Sequence, residues 1–136
     1  MFEILEHTAD IGIRARGATL REVFEQAALA LEHVVLDPAA VEPAEEYRIE
    51  ALGEDNESLL VNFLSEVLYL LDAKRAAFSS IRVEEAASGR VRAIAPGEPR
   101  DARRHPPRVI VKGVTYHQLR LQETSEGWLA EVFLDI

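Results

Sequence analysis

The chain has 136 residues, 48% of them hydrophobic and 29% charged, and its 15 basic and 24 acidic side chains leave a formal charge of −9. That length suits one domain with a real core, and the balance is globular rather than disordered. The lack of cysteine excludes disulfides, zinc–thiolate sites and thiol nucleophiles, while the negative charge opposes direct binding to phosphate backbones and favours a cation or a basic protein partner.

The opening Met1-Phe2-Glu3-Ile4-Leu5-Glu6 has no basic region ahead of an apolar one, so it does not read as a signal or transit peptide. No apolar run approaches the ~20 residues that cross a bilayer, so no membrane association is expected. The expectation is a single cytoplasmic domain over residues 1–136. Phe2 and Ile4 alternate with Glu3 as a first strand, followed by a polar turn at His7-Thr8-Ala9-Asp10. Ile11, Ile13 and Ala15 alternate with Gly12, Arg14 and Arg16 as a second strand with one face buried. Thr19-Leu20-Arg21-Glu22 is a capping box, and Leu20, Val23, Phe24, Ala27, Ala28 and Leu31 recur on one face of the helix it opens. That helix should stop before Asp37-Pro38, because proline disfavours a helical residue ahead of it.

Residues 38–46 read as a polar loop, and Tyr47, Ile49 and Ala51 as a short strand. Asp55 to Ser58 carry cap chemistry for a second helix. Its wide apolar face runs from Leu59 to Leu71, broken only by a polar stripe at Asn62, Glu66 and Tyr69. Ile81 and Val83, then Val91, Ala93 and Ala95, flank Ser88-Gly89 as a hairpin. Residues 96–107, proline-rich and charged, read as a long irregular loop. Two final strands, 109–121 and 128–136, turn near Ser125-Glu126-Gly127. The order ββαβαββββ implies an α+β fold, two helices packed on a mainly antiparallel sheet.

The chemistry-bearing residues are mostly oxygen donors. The last strand ends on Leu134-Asp135-Ile136, which sets the Asp135 side chain one residue from the terminal carboxylate of Ile136. Two crowded anions repel unless solvent screens them or a cation sits between them. Asp10 opens the second strand, and in an antiparallel sheet one strand's start can lie beside a neighbour's end, so Asp10 and Asp135 could converge. Hard oxygen ligands suit calcium or magnesium rather than zinc or copper. His7-x-x-Asp10, with His117 from the late strand, could form a general base with an orienting carboxylate or a set of metal ligands; equally, both histidines could simply bond nearby backbone. Lys112 is a lone base in an apolar stretch, a phosphate or partner contact or a snorkelling surface lysine. There is no phosphate-cradling glycine loop, no Gly-x-Ser-x-Gly elbow and no His-Glu-x-x-His pair.

Several blocks in order then resemble one family. His7-Thr8-Ala9-Asp10-Ile11-Gly12-Ile13 resembles the opening signature of the archeases, and Phe24-Glu25-Gln26-Ala27-Ala28 their first helix. The segment from Leu59 to Leu70, Lys112-Gly113-Val114-Thr115-Tyr116-His117 and the closing Phe133-Leu134-Asp135-Ile136 are similar to later blocks. Departures are small: Gly113 stands where the family usually has alanine, and Ser65 where asparagine is common.

The resemblance implies an accessory protein rather than an enzyme. It would activate the GTP-dependent RNA ligase of tRNA splicing and RNA repair, which joins 2′,3′-cyclic-phosphate or 3′-phosphate ends to 5′-hydroxyl ends. It would promote guanylylation of the ligase and repeated turnover, meeting RNA only indirectly. It also implies a divalent cation, calcium or another such as magnesium or manganese, held by Asp10, Asp135 and the Ile136 carboxylate. His7, Asp10, Lys112 and His117 are then candidates for ligase activation. The rival from another class is a metal-dependent phosphatase or nuclease using His7, Asp10 and His117.

Overall fold

The computed structural model describes residues 1–6 and 10–136; of Glu6 only the backbone is described. In chain order the described elements are β1 (Phe2–Glu6), β2 (Asp10–Gly17), α1 (Leu20–Val35), β3 (Glu45–Leu52), α2 (Asn56–Asp72), β4 (Ala76–Phe78), β5 (Arg82–Ala87), β6 (Arg90–Pro99), β7 (Gly113–Thr124) and β8 (Gly127–Asp135). A 3-10 turn, Pro38–Ala40, follows α1.

Both helices start where their caps put them. Thr19 Oγ1 accepts the Glu22 amide at 3.2 Å, while the Glu22 carboxylate accepts the Ala18 amide at 2.9 Å. Asp55 caps α2 by accepting the Ser58 amide at 2.7 Å, and the Ser58 hydroxyl takes the Asp55 amide in return. α1 ends at Val35, two residues before Asp37-Pro38.

The strands form two sheets, and every pairing is antiparallel. The first has the order β1-β2-β8-β7. The second has β3 paired to β6, with β4 and β5 sharing β6's other edge. Each helix packs on both sheets: α1 against β2 and β5, α2 against β3 and β7. The core between them is built from Ile13, Phe24, Leu31, Ile49, Phe63, Leu64, Phe78 and Leu134 with their neighbours.

Three details differ from the expectation. The described chain has eight strands rather than seven, because Ala76–Phe78 pairs with the end of β6; three wholly buried residues show no alternation to read. β6 runs on to Pro99, so the irregular segment starts at Arg100. Pro96 is tolerated because it lies opposite Glu46 at a position whose backbone groups point away from β3. Gly97 is needed there, since a Cβ would come within 2.0 Å of the Ala77 carbonyl oxygen. Finally, β7 begins at Gly113 rather than 109, and it carries a large bulge. Thr115 pairs with Phe133 and Arg120 with Glu131, so residues 116–119 face Val132 alone, with Gln118 at φ 54.

Candidate metal centre

β2 starts and β8 ends at the same place. Asp10 and Asp135 are direct register partners, and Gly113 pairs with Asp135 from the other side. Residues directly opposed in an antiparallel pair turn their side chains to the same face, with Cβ atoms about 5 Å apart. That face is set by the hydrophobic alternation: Ile11, Ile13 and Ala15 go to the core with their partners Leu134, Val132 and Ala130. The intervening residues therefore face outward, Asp10 among them.

The outward face is built row by row. In the row next to the aspartates, Phe133 lies over Gly12, where a Cβ would come within 2.9 Å of the ring. One row further, charges alternate across four strands as Glu3, Arg14, Glu131 and Arg120. Arg14 Nη2 and Nε reach Glu131 Oε2 at 2.7 and 2.8 Å, Arg120 Nη1 reaches Oε1 at 2.8 Å, and Arg14 Nη1 reaches Glu3 at 3.3 Å. Between its two arginines, Glu131 is held below the ordinary carboxylate range despite its burial.

The aspartate row has no such neutralisation. Among the described residues no arginine or lysine makes an ion pair with Asp10 or Asp135, and Asp10 Oδ1 is buried without a hydrogen-bond partner. The corner is nonetheless firmly placed. The Lys112 amide donates to the Asp135 carbonyl at 2.7 Å, and the Ile136 side chain packs against the core. Beside Asp135, a Cβ on Gly113 would meet nothing within 4 Å, so open space lies there. Two hard oxygen donors on one face, one of them buried and orphaned, fit a divalent cation such as calcium or magnesium. The set is incomplete in side chains alone, since no group of three histidine, aspartate or glutamate residues at ligand spacing occurs among the described residues. The Ile136 carboxylate, backbone oxygens or water would have to supply the rest.

The other sequence candidates fare differently. His7 lies outside the described residues. His117 sits in the exposed β7 bulge, its amide donating to Thr115 Oγ1 at 2.7 Å, and it is not assembled with Asp10 and Asp135 into a three-residue cluster. Lys112 is exposed next to Asp135, joined to it through the backbone.

Two buried acids were not singled out beforehand. Glu98 accepts from Arg104 Nη1 and Nη2 at 2.8 and 2.7 Å and from the Glu42 amide at 2.7 Å. It also bonds buried His105 Nε2 at 3.0 Å. Because His105 Nδ1 accepts the Asp101 amide at 2.9 Å, the imidazole carries its proton on Nε2 and donates it to Glu98. The Arg104 bonds above all hold the Glu98 carboxyl down to about 2. Glu32, fully buried on α1, accepts the Phe78 amide at 2.7 Å, and among the described residues its Oε1 has no hydrogen-bond partner. Burial pushes its carboxyl up to about 8, against the pull of the Phe78 bond and of Arg100. For Glu32 the sequence signal was an acid inside a helical apolar face; for Glu98 it was its place with Asp101 and His105 in the proline-rich segment, where the family resemblance keeps all three.

Comparison with known proteins is consistent throughout the chain. Residues 2–136 match the model of the archease protein family. The chain is 43% identical over 139 aligned positions to protein archease of Methanosarcina acetivorans, covering 99% of this chain and 95% of that one. It is 43% identical to protein archease of Pyrococcus furiosus, at 99% and 98% coverage. The fold is similar to the solution structure of protein 1598 of Methanobacterium thermoautotrophicum, with a TM-score of 0.81 at 37% identity and 99% and 98% coverage.

Proposed function

The chain belongs to the archease family, and from that premise we propose that it is an accessory protein of a GTP-dependent RNA ligase. The ligase concerned joins 2′,3′-cyclic-phosphate or 3′-phosphate RNA ends to 5′-hydroxyl ends in tRNA splicing and RNA repair. The chain promotes guanylylation of that ligase and its repeated turnover, works in the cytoplasm and meets RNA only through its partner. Among the described residues no helix is long and apolar enough to cross a membrane.

The observation that carries the reading is the register of Asp10 against Asp135, with an orphaned buried oxygen on Asp10, in a chain that matches the family over residues 2–136. Asp10, Asp135 and the terminal carboxylate of Ile136 would hold calcium, or magnesium or manganese in its place. When bound, the cation supplies a positive centre that cancels the two carboxylates and offers vacant coordination to a partner's oxygen. The rest falls to the chain itself. The Arg14–Glu131–Arg120 ladder and the Lys112 amide keep the β2 and β8 ends in register. The Lys112 side chain, with His7 and His117, would contact the ligase. The acidic surface steers the chain toward a basic, phosphate-binding cleft.

Guanylylation of the matching ligase, measured with and without this protein, tests the reading. Asp135→Ala and an added chelator should each remove the stimulation while circular dichroism stays unchanged. Multiple-turnover ligation at wild-type rate with Asp135→Ala would overturn the metal role. The isolated protein should be inert toward phosphodiesters and phosphomonoesters; turnover lost on His117→Ala would instead support the hydrolase built on His7, Asp10 and His117.

A further inference from the structure

A second surface, sharing no residue with the Asp10–Asp135 corner, has its own logic. We propose that the free edge of β3, walled by the polar stripe of α2, is a docking groove for an extended, basic segment of a partner protein, which adds to the second sheet as an extra strand.

The edge is open for a definite reason. The Gly53 amide donates to the Gly89 carbonyl at 3.0 Å, and these two residues continue the register that sets Leu52 opposite Arg90. The residues bonded to β6 are therefore Gly53, Ala51, Ile49 and Tyr47, because bonded and non-bonded pairs alternate along an antiparallel ladder. Leu52, Glu50 and Arg48, lying between them, turn their N–H and C=O groups away from β6. Among the described residues one of these groups has a partner: Asn62 Nδ2 donates to the Leu52 carbonyl at 2.7 Å, which also shows that α2 runs beside this edge. Between strand and helix lies a groove of about 570 Å³, lined by Glu50, Leu52, Asn62, Ser65, Glu66 and Arg90. Leu52 is 70% exposed at its end.

Charge selects the occupant. Residues 42–72 hold nine acidic side chains and one basic, Arg48, a net −8 against −9 for the whole chain. Among the described residues none of the nine makes a salt bridge, although acids elsewhere in the molecule do. An unpaired edge is ordinarily a hazard that charge keeps in check. Of the groove's own lining Glu50 and Glu66 are acidic and Arg90 is basic, and a second copy of this chain, itself at −9, would be repelled. A segment with lysine or arginine at alternating positions is drawn in, meeting Glu50 and Glu66 while its backbone pairs with Arg48 to Leu52.

The test uses the full-length protein and a capped octapeptide of alternating lysine and valine, followed by amide NMR and hydrogen exchange. Shifts are expected at residues 48–52 and 62–66, with exchange of the Glu50 and Leu52 amides slowed about tenfold or more at saturation. Glu50→Pro removes a donor that the β6 ladder does not use, so the fold should survive while binding weakens about tenfold. The double substitution Glu50→Lys with Glu66→Lys should weaken it as much without touching the backbone. Unchanged binding in both variants overturns the proposal, as does equal binding of an alternating glutamate–valine octapeptide. Protection of the same amides in a concentration-dependent dimer without peptide overturns it in favour of self-pairing.

Discussion

Glu98 and Glu32 both lie buried beside β4, Glu98 opposite Ala77 and Glu32 on the Phe78 amide, and they titrate in opposite directions. Glu98, at the end of β6, gathers Arg104, His105 and the Glu42 amide around its two oxygens and stays ionised down to about 2. Glu32, on the inner face of α1, has one amide bond and an orphaned oxygen, and holds its proton up to about 8. Burial alone therefore does not decide the charge of an interior acid; the donors that reach it do. The Asp10–Asp135 corner is a third case. Its register gives each carboxylate another carboxylate for a neighbour, and among the described residues neither makes an ion pair with a basic side chain. The same reasoning that marks Glu98 as structural makes the aspartates the candidate site.

Glu32→Gln breaks this comparison most strongly. Below the ordinary glutamate range Glu32 is protonated in folded and unfolded chains alike and carries no penalty. Between there and about 8 the unfolded chain releases a proton that the fold retains, so stability falls as pH rises, and the loss is complete above about 8. The variant should be more stable at pH 9 by on the order of 2–4 kcal/mol and indistinguishable near pH 4. Urea unfolding at both values decides it; parallel pH curves for the two proteins would show that Glu32 does not titrate in that window.

Glu98→Gln tests the opposite limb. A depressed carboxyl contributes stability above the ordinary glutamate range and loses it as pH falls toward about 2. The variant lacks that contribution at every pH. Its acid unfolding should be shallower than wild type, and the Glu42 and Asp101 amides should exchange about tenfold faster at neutral pH.

Calcium addresses the third case. Saturating calcium should raise the wild-type Tm by about 2–6 °C, and the response should vanish in Asp10→Asn and Asp135→Asn, each slightly stabilised in chelator by relief of repulsion. An equal calcium response in both variants would put the cation elsewhere. The smallest effect is expected from Arg120→Ala. Arg120 is exposed and Arg14 keeps both its bonds to Glu131, so the loss should stay below about 1 kcal/mol in thermal or urea unfolding.

Much of this architecture is legible in local patterns. The caps at Thr19 and Asp55 opened both helices, the alternation of Ile11, Ile13 and Ala15 gave β2 its faces, and Asp37-Pro38 bounded α1. The candidate site was half legible: aspartates at opposite ends of the chain could be suspected of meeting, but only pairing made them partners. β4 escaped because three buried residues carry no period, and the reach of β6 through Pro96 to Pro99 escaped because proline reads as loop until its missing N–H is seen to point away from β3.

Composition, periodicity and cap chemistry are local, acting within a few residues, so the chain alone determines its helices, its strand faces and its acidic character. Register, sheet partition and the neighbours of a buried acid depend on residues tens of positions away. Only the folded chain could set Asp10 against Asp135, split the strands into two sheets, bring the Glu42 amide to Glu98 and set Glu32 against the Phe78 amide. Long-range pairing of this kind is selected by total burial and hydrogen bonding over the whole fold, which no local segment encodes.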